Sequence, residues 1–259
     1  SFVSTPYFTP ESVQKERGII GQEIKMVADS PGFVLYNNLL RCLYATNPVR
    51  DSVAGTVESI AEITPEVLTS CHRVFYNPSN MTLAVVGNAD PAAVIEMAES
   101  ILPAAPGEVP QRDYGEAETP LPHQPSSDVQ MEVSAPQFLL GAKLAPAEKG
   151  RARLRQSLIG ELSLQYLLGS SAPLYNRLYA DGLLNGDFEY ELDYTAGTAM
   201  LLVGGESRDV SGVADAFRAE VDRLAQSGVD KALFENTRRS YYGAMLRVCG
   251  SFSALAQSL

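Results

Sequence analysis

Apolar residues recur along the chain in two rhythms: a period near 3.6, and short runs or alternation. They divide it into helices and strands. Thr9-Pro10-Glu11 supplies an N-cap, a proline at the first helical position and a first-turn acid, so a helix is predicted over Glu11–Ala28. Asp29-Ser30-Pro31 ends it and opens a second helix over Pro31–Tyr44. "TNPVRDSVAGT" reads as a loop, and "ITPEVLTSCHRVFY" repeats the Thr-Pro-Glu start and predicts a third helix. "MTLAVVG" (81–87) is predicted as a short strand of the buried type. "DPAAVIEMAESIL" follows it as a helix capped by Asp90, with Pro91 at its first position.

The texture changes at Pro103. From there to Ser127 the chain is rich in proline and acids and has little periodicity, which predicts a linker. Beyond it, "DVQMEVS" and "QFLLGAKL" read as strands, Arg151–Leu168 as a long amphipathic helix and "APLYNRLYADGLL" as a shorter one. "DFEYELDY" and "AMLLVGG" read as adjacent strands, Val210–Gln226 and Lys231–Arg247 as helices, and "SFSALAQSL" as the opening turn of another. One pattern occurs twice: strand, glycine, polar turn with aspartate, helix. Gly87 and Asp90 in the first copy match Gly204 and Asp209 in the second. Two copies flanking a proline-rich stretch predict two related α/β domains of an α+β protein, each a mainly antiparallel sheet with helices packed on one face. Neither glycine turn carries GxGxxG or GxxxxGK[ST], so they read as plain strand-to-helix turns.

"KERGIIGQEIKM" interrupts this ordinary picture. With Glu16 set at zero and about 100° per residue, Val27, Ile20 and Ile24 fall at about 20°, 40° and 80°, and Ile19 at about −60°. Glu23 falls at about −20°, so two carboxylates stand in the middle of the apolar face. Three readings fit the spacing. The glutamates pair with cations of a neighbouring element. They act together as a general acid and base. Or one is a metal ligand and the other supports the site, since an i, i+7 pair shares one face about two turns apart.

Composition narrows the partners. A net charge of −11 argues against nucleic acid and anionic membrane surfaces, which need clustered Lys and Arg. No apolar run approaches the roughly 18 residues of a membrane span. The three cysteines, Cys42, Cys71 and Cys249, are far apart, fit a reducing compartment and read as buried thiols. His72 and His123 have no partner at metal-ligand spacing and read as structural.

Glu16-Arg17-Gly18-Ile19-Ile20-Gly21-Gln22-Glu23, then "NPVRDSVAGTVESI", "ITPEVL" and "FYNPSNMTLAVVGNADP", resemble in order and spacing the pitrilysin/insulinase metallopeptidases, the inverzincins. "QFLLGAKL", "LLGSSAPLYNRLYADGLL" and "FEYELDY" extend the resemblance over essentially the whole chain, with bacterial single-chain members as its nearest form.

The resemblance implies a Zn²⁺ endopeptidase. Two histidines of an HxxEH helix and a glutamate ending an E-x6-E pattern hold the metal, and the glutamate inside HxxEH activates a zinc-bound water. Glu23 matches the ligand and Glu16 the accompanying glutamate that supports it. Peptides are the implied substrates, bound extended along a sheet edge, in a cytoplasmic setting. The chain departs from the pattern in holding no HxxEH. The expectation is therefore a chain that starts after that helix and stops within a later one. Residues 1–102 would be the C-terminal part of a first peptidase-like domain, 103–127 a linker, and 128–259 an incomplete second domain. One carboxylate cannot hold catalytic zinc, so the chain alone is expected to lack zinc and activity. A homodimer, or a heterodimer with a homologous subunit, is expected. The alternative function is a non-catalytic homologous subunit serving substrate binding or assembly. The plainest alternative is an α/β interaction domain without chemistry.

Overall fold

The structure, a computed structural model, describes residues 3–102, 107–145, 149–195 and 197–258. The described residues contain the helices α1 (Pro10–Ala28), α2 (Pro31–Leu43), α3 (Val57–Ala61), α4 (Pro65–Phe75), α5 (Pro91–Ile101), α6 (Arg151–Leu168), α7 (Pro173–Ala180), α8 (Val210–Ser227), α9 (Lys231–Val248) and α10 (Phe252–Ser258). The strands are β1 (Gln137–Lys143), β2 (Glu189–Asp193) and β3 (Met200–Glu206). The class is α+β, as the pattern predicts. The chain forms two compact units. One comprises Ser1–Met26, Ala54–Asp113 and Gly243–Leu259, the other Val27–Val53 and Tyr114–Tyr242.

Helix starts follow the local chemistry. At α1, Thr9 Oγ1 accepts from Ser12 N–H at 3.1 Å while Ser12 Oγ accepts from Thr9 N–H at 3.0 Å, a reciprocal cap. Thr64 caps α4, Asp90 caps α5 and Asp209 caps α8 through their side chains. Both aspartates of the repeated pattern thus do the same job. The loop reading of 46–56 misses one short element after it: Thr56 and Ser59 form a capping box that starts α3.

The second unit holds the sheet, in the order β1-β3-β2 with both pairs antiparallel. Gln137 faces Glu206 and Lys143 faces Met200; Glu189 faces Gly204 and Asp193 also faces Met200. One face packs Phe138 and Val203 against Leu164 and Leu168 of α6, Leu174 and Leu178 of α7 and Val213 of α8. The other face packs Leu139, Met200 and Leu202 against Leu40, Leu43 and Tyr44 at the end of α2. Helices thus cover both faces, whereas the sequence reading puts them on one; α2 adds the extra layer. Gly141 makes this approach close: a Cβ there would lie 2.9 Å from Leu39 Cδ1 and 3.0 Å from Leu43 Cδ1.

Two predicted strands stay outside the ladder. Residues 81–86 and 128–133 belong to no strand. In the first unit Leu83 and Val85 are largely exposed, and no main-chain hydrogen bond engages residues 82–86 among the described residues. Strand propensity was legible in "MTLAVVG", but a strand also needs a partner for its N–H and C=O groups. Within that unit these residues and α5 line an open apolar groove of about 920 Å³, walled by Leu83, Val85, Val94, Ile95 and Ala98.

Candidate functional site

Glu16 and Glu23 both lie on α1, and both are exposed. The side of α1 that packs carries Val13, which is buried, and the half-buried Arg17, Gly21 and Ile24. At about 100° per residue that stripe is centred roughly 80–100° around the helix from Glu16. Arg17 sets this rotation. Its guanidinium donates to the carbonyls of Ala61 at 2.6 Å and Ile63 at 2.9 Å, closing the C-terminal turn of α3 against α1. The central place on the apolar face that the helical wheel assigns to the glutamates is therefore not where they sit in this structure. They stand on its open side beside Ile19 and Ile20, which are 50% and 37% exposed. No cation pairs with either glutamate among the described residues.

Both histidines are engaged elsewhere. His72 lies on α4, its Nε2 2.8 Å from the Val3 carbonyl oxygen and its ring stacked on Tyr76 at 4.8 Å. His123 lies in the second unit, where its main-chain N–H donates to the Leu43 carbonyl. Among the described residues no group of three His, Cys, Asp or Glu side chains could hold a metal ion. Two carboxylates without a nitrogen or sulfur donor do not make a zinc site. The cysteines also depart from expectation: Cys42 is buried, but Cys71 and Cys249 are exposed.

The residues with the strongest electrostatic definition lie in the second unit, and sequence patterning did not mark them. Glu118 belongs to the proline-rich stretch. Its Oε1 accepts from the N–H groups of Thr46 at 2.7 Å and Asn47 at 2.9 Å, and its Oε2 pairs with Lys143 Nζ at 2.9 Å. Burial alone pushes the Glu118 carboxyl up, and the bonds from Thr46, Asn47 and Lys143 outweigh it, holding the group well below its usual range. Lys143 also donates to the carbonyls of Thr119 at 3.0 Å and Leu121 at 3.2 Å and lies 4.7 Å from the Tyr44 ring centroid. A 25-residue separation between Glu118 and Lys143 carries no periodic signal.

A cleft of about 780 Å³ opens between the N-terminal turns of α2 and the sheet, lined by Tyr36, Glu189, Glu191, Leu202, Gly204 and Glu206. Tyr36 donates to Asp193 Oδ2 at 3.1 Å, and burial together with that carboxylate pushes its hydroxyl up to about 12. On α7, Tyr175 stacks on Tyr179 at 5.8 Å and contacts Phe188 at 5.8 Å, while Arg177 is exposed. Tyr175 is half-buried by these contacts, whereas Tyr179 is 54% exposed.

Residues 62–241 match the model of the peptidase M16 inactive domain. A protein of Bacillus subtilis (strain 168) named as the uncharacterized zinc protease YmfH is 32% identical over 255 residues, covering 96% of this chain and 59% of that protein. A second protein of that strain, named as the uncharacterized zinc protease YmxG, is 21% identical over 92% of this chain and 57% of its own length. The crystal structure of an M16-like peptidase from Alicyclobacillus acidocaldarius superposes with a TM-score of 0.90 at 33% identity, covering 99% of this chain and 61% of that one. The peptidase M16 inactive domain from Pseudomonas fluorescens shares the fold at a TM-score of 0.78 and 17% identity, over 99% of this chain and 60% of that one. The chain thus spans about three fifths of the length of these relatives.

Proposed function

The chain belongs to the peptidase M16 family, and on that premise we propose that it forms part of a zinc-dependent metalloendopeptidase of the pitrilysin/insulinase type that hydrolyses peptides. The observation that carries the reading is the 32% identity to a protein named as a zinc protease, running over 96% of the chain. In this reading Glu23 is one zinc ligand and Glu16 holds the surrounding ligands in place, with the histidine donors supplied by residues outside this sequence. The exposure of both carboxylates on the open side of α1 supports it, because a ligand must face a partner rather than the helix's own packing. Zinc, when bound, would supply a water activated at neutral pH. This chain's own part would be to present the Glu23 carboxylate from a helix whose rotation Arg17 sets. Residues 1–102 would descend from the first peptidase-like domain, 103–127 from the linker and 128–259 from the second. A cytoplasmic setting belongs to the same proposal. Of the membrane, the described residues say only that no helix is long and apolar enough to cross one.

A second reading has its own support. The matching family model is that of the inactive domain, which fits a non-catalytic subunit serving substrate binding or assembly. Zinc analysis of the complete natural protein separates the two. About one zinc per chain, lost in Glu23→Gln while the fold persists by circular dichroism, is the expected result. Full retention of zinc in Glu23→Gln would remove Glu23 from the ligand set. Absence of zinc from both proteins would favour the non-catalytic subunit.

A further inference from the structure

In the second unit, residues 118–128 of the proline-rich stretch run past the C-terminal end of α2. Their attachment is concentrated at a few points. His123 N–H donates to the Leu43 carbonyl at 3.2 Å and Gln124 N–H to the Cys42 carbonyl at 2.9 Å. Glu118 fixes the start of the segment, its Oε1 accepting from the N–H groups of Thr46 and Asn47, and Lys143 Nζ bonds Glu118, Thr119 and Leu121 together. The side chains of 121–128 themselves are exposed, so apolar burial does little to hold the segment down.

Beneath it lies a cavity of about 510 Å³, with Pro122, Gln124 and Pro125 on one side and Leu39, Cys42 and Leu140 on the other. β1 borders this cavity with an edge that pairs with no strand among the described residues. A polar segment thus roofs an apolar space and is fastened by a charged clamp at one end.

We propose that residues 118–128 form a strap latched by Lys143, and that releasing the latch opens the cavity locally and uncovers Cys42 without unfolding the unit. The asymmetry of the attachments is the reason. With Glu118 held by Thr46 and Asn47 as the hinge, the strap beyond it can lift by giving up two main-chain bonds and the Lys143 bonds to Thr119 and Leu121, whereas the packing of α2 on the sheet involves Leu40, Leu43, Met200 and Leu202, none of which belongs to the strap.

Cys42 provides the probe, since its thiol is buried while Cys71 and Cys249 are exposed. With Cys71→Ser and Cys249→Ser in place, the full chain carries Cys42 as its single thiol. Its alkylation by N-ethylmaleimide is followed at rising urea below the unfolding transition. Local opening predicts a labelling rate almost independent of urea there, and a rate about tenfold higher when Lys143→Met is added. Global unfolding is followed in parallel by circular dichroism. A labelling rate that climbs with the full urea dependence of global unfolding would overturn the proposal. So would an unchanged rate in a folded Lys143→Met chain. If Lys143→Met does not fold, the urea dependence in the chain with Lys143 intact still decides between the two outcomes.

Discussion

Glu118 and Lys143 show what a single pair does when both partners are nearly enclosed. Their side chains are 14% and 7% exposed. Removing one partner leaves the other charge without compensation in a poorly solvated place. Lys143→Met is therefore expected to lower the unfolding free energy by about 3 kcal/mol, read from urea titrations at neutral pH. The pair also sets a pH dependence. Glu118 titrates below its ordinary range in the folded chain, so the unfolded state binds the proton first as pH falls. Its contribution is complete above the unfolded carboxylate value of about 4.3 and is lost as the pH drops below it. Comparing the chain with Glu118→Gln across that window should show the stability difference shrinking toward acid; a difference independent of pH would refute the assignment. Glu23 makes the opposite kind of residue-scale case, since its weight lies in the complete protein's metal content rather than in stability.

At the level of elements, capping chemistry and close approach decide what forms and how it packs. Asp209 ends a strand-to-helix turn by accepting from Gly212 N–H at 2.9 Å. Asp209→Ala should cost about 1 kcal/mol, visible as a lower urea midpoint with an unchanged slope. Gly141 is required by distance rather than by dihedral freedom. A methyl group there would push the ends of the Leu39 and Leu43 side chains aside, so Gly141→Ala should destabilise the second unit by roughly 1–3 kcal/mol. A midpoint unchanged in that variant would mean that α2 yields easily. The extended segments 81–86 and 128–133 mark the other limit of element-level reasoning. Their apolar residues suit a pleated surface, but a ladder is made by two chains and neither segment has a partner strand among the described residues.

For the whole molecule, the exposed apolar groove of the first unit has a consequence in solution. Leu83, Val85 and Ile95 are 65%, 50% and 57% exposed and line one groove, which offers a second copy an apolar contact. Light scattering behind size exclusion should show association that grows with concentration; a clean monomer throughout would contradict this. The family, the α+β class and nearly all helices with their starts were legible in the sequence, because caps, prolines and the 3.6 period act within a few residues of each other. The helical wheel put Glu16 and Glu23 at the centre of the apolar face, whereas both are exposed on α1. Three things were not legible. The rotation of α1 follows from Arg17 reaching the carbonyls of Ala61 and Ile63, more than forty residues away. The grip of Glu118 on Lys143 and the residence of α2 on the sheet's second face also join distant segments. Local sequence determined which elements exist, since helix caps and apolar periods are short-range interactions. Tertiary structure decided which face of each element is buried and which charges meet, since these depend on contacts between residues far apart in the chain.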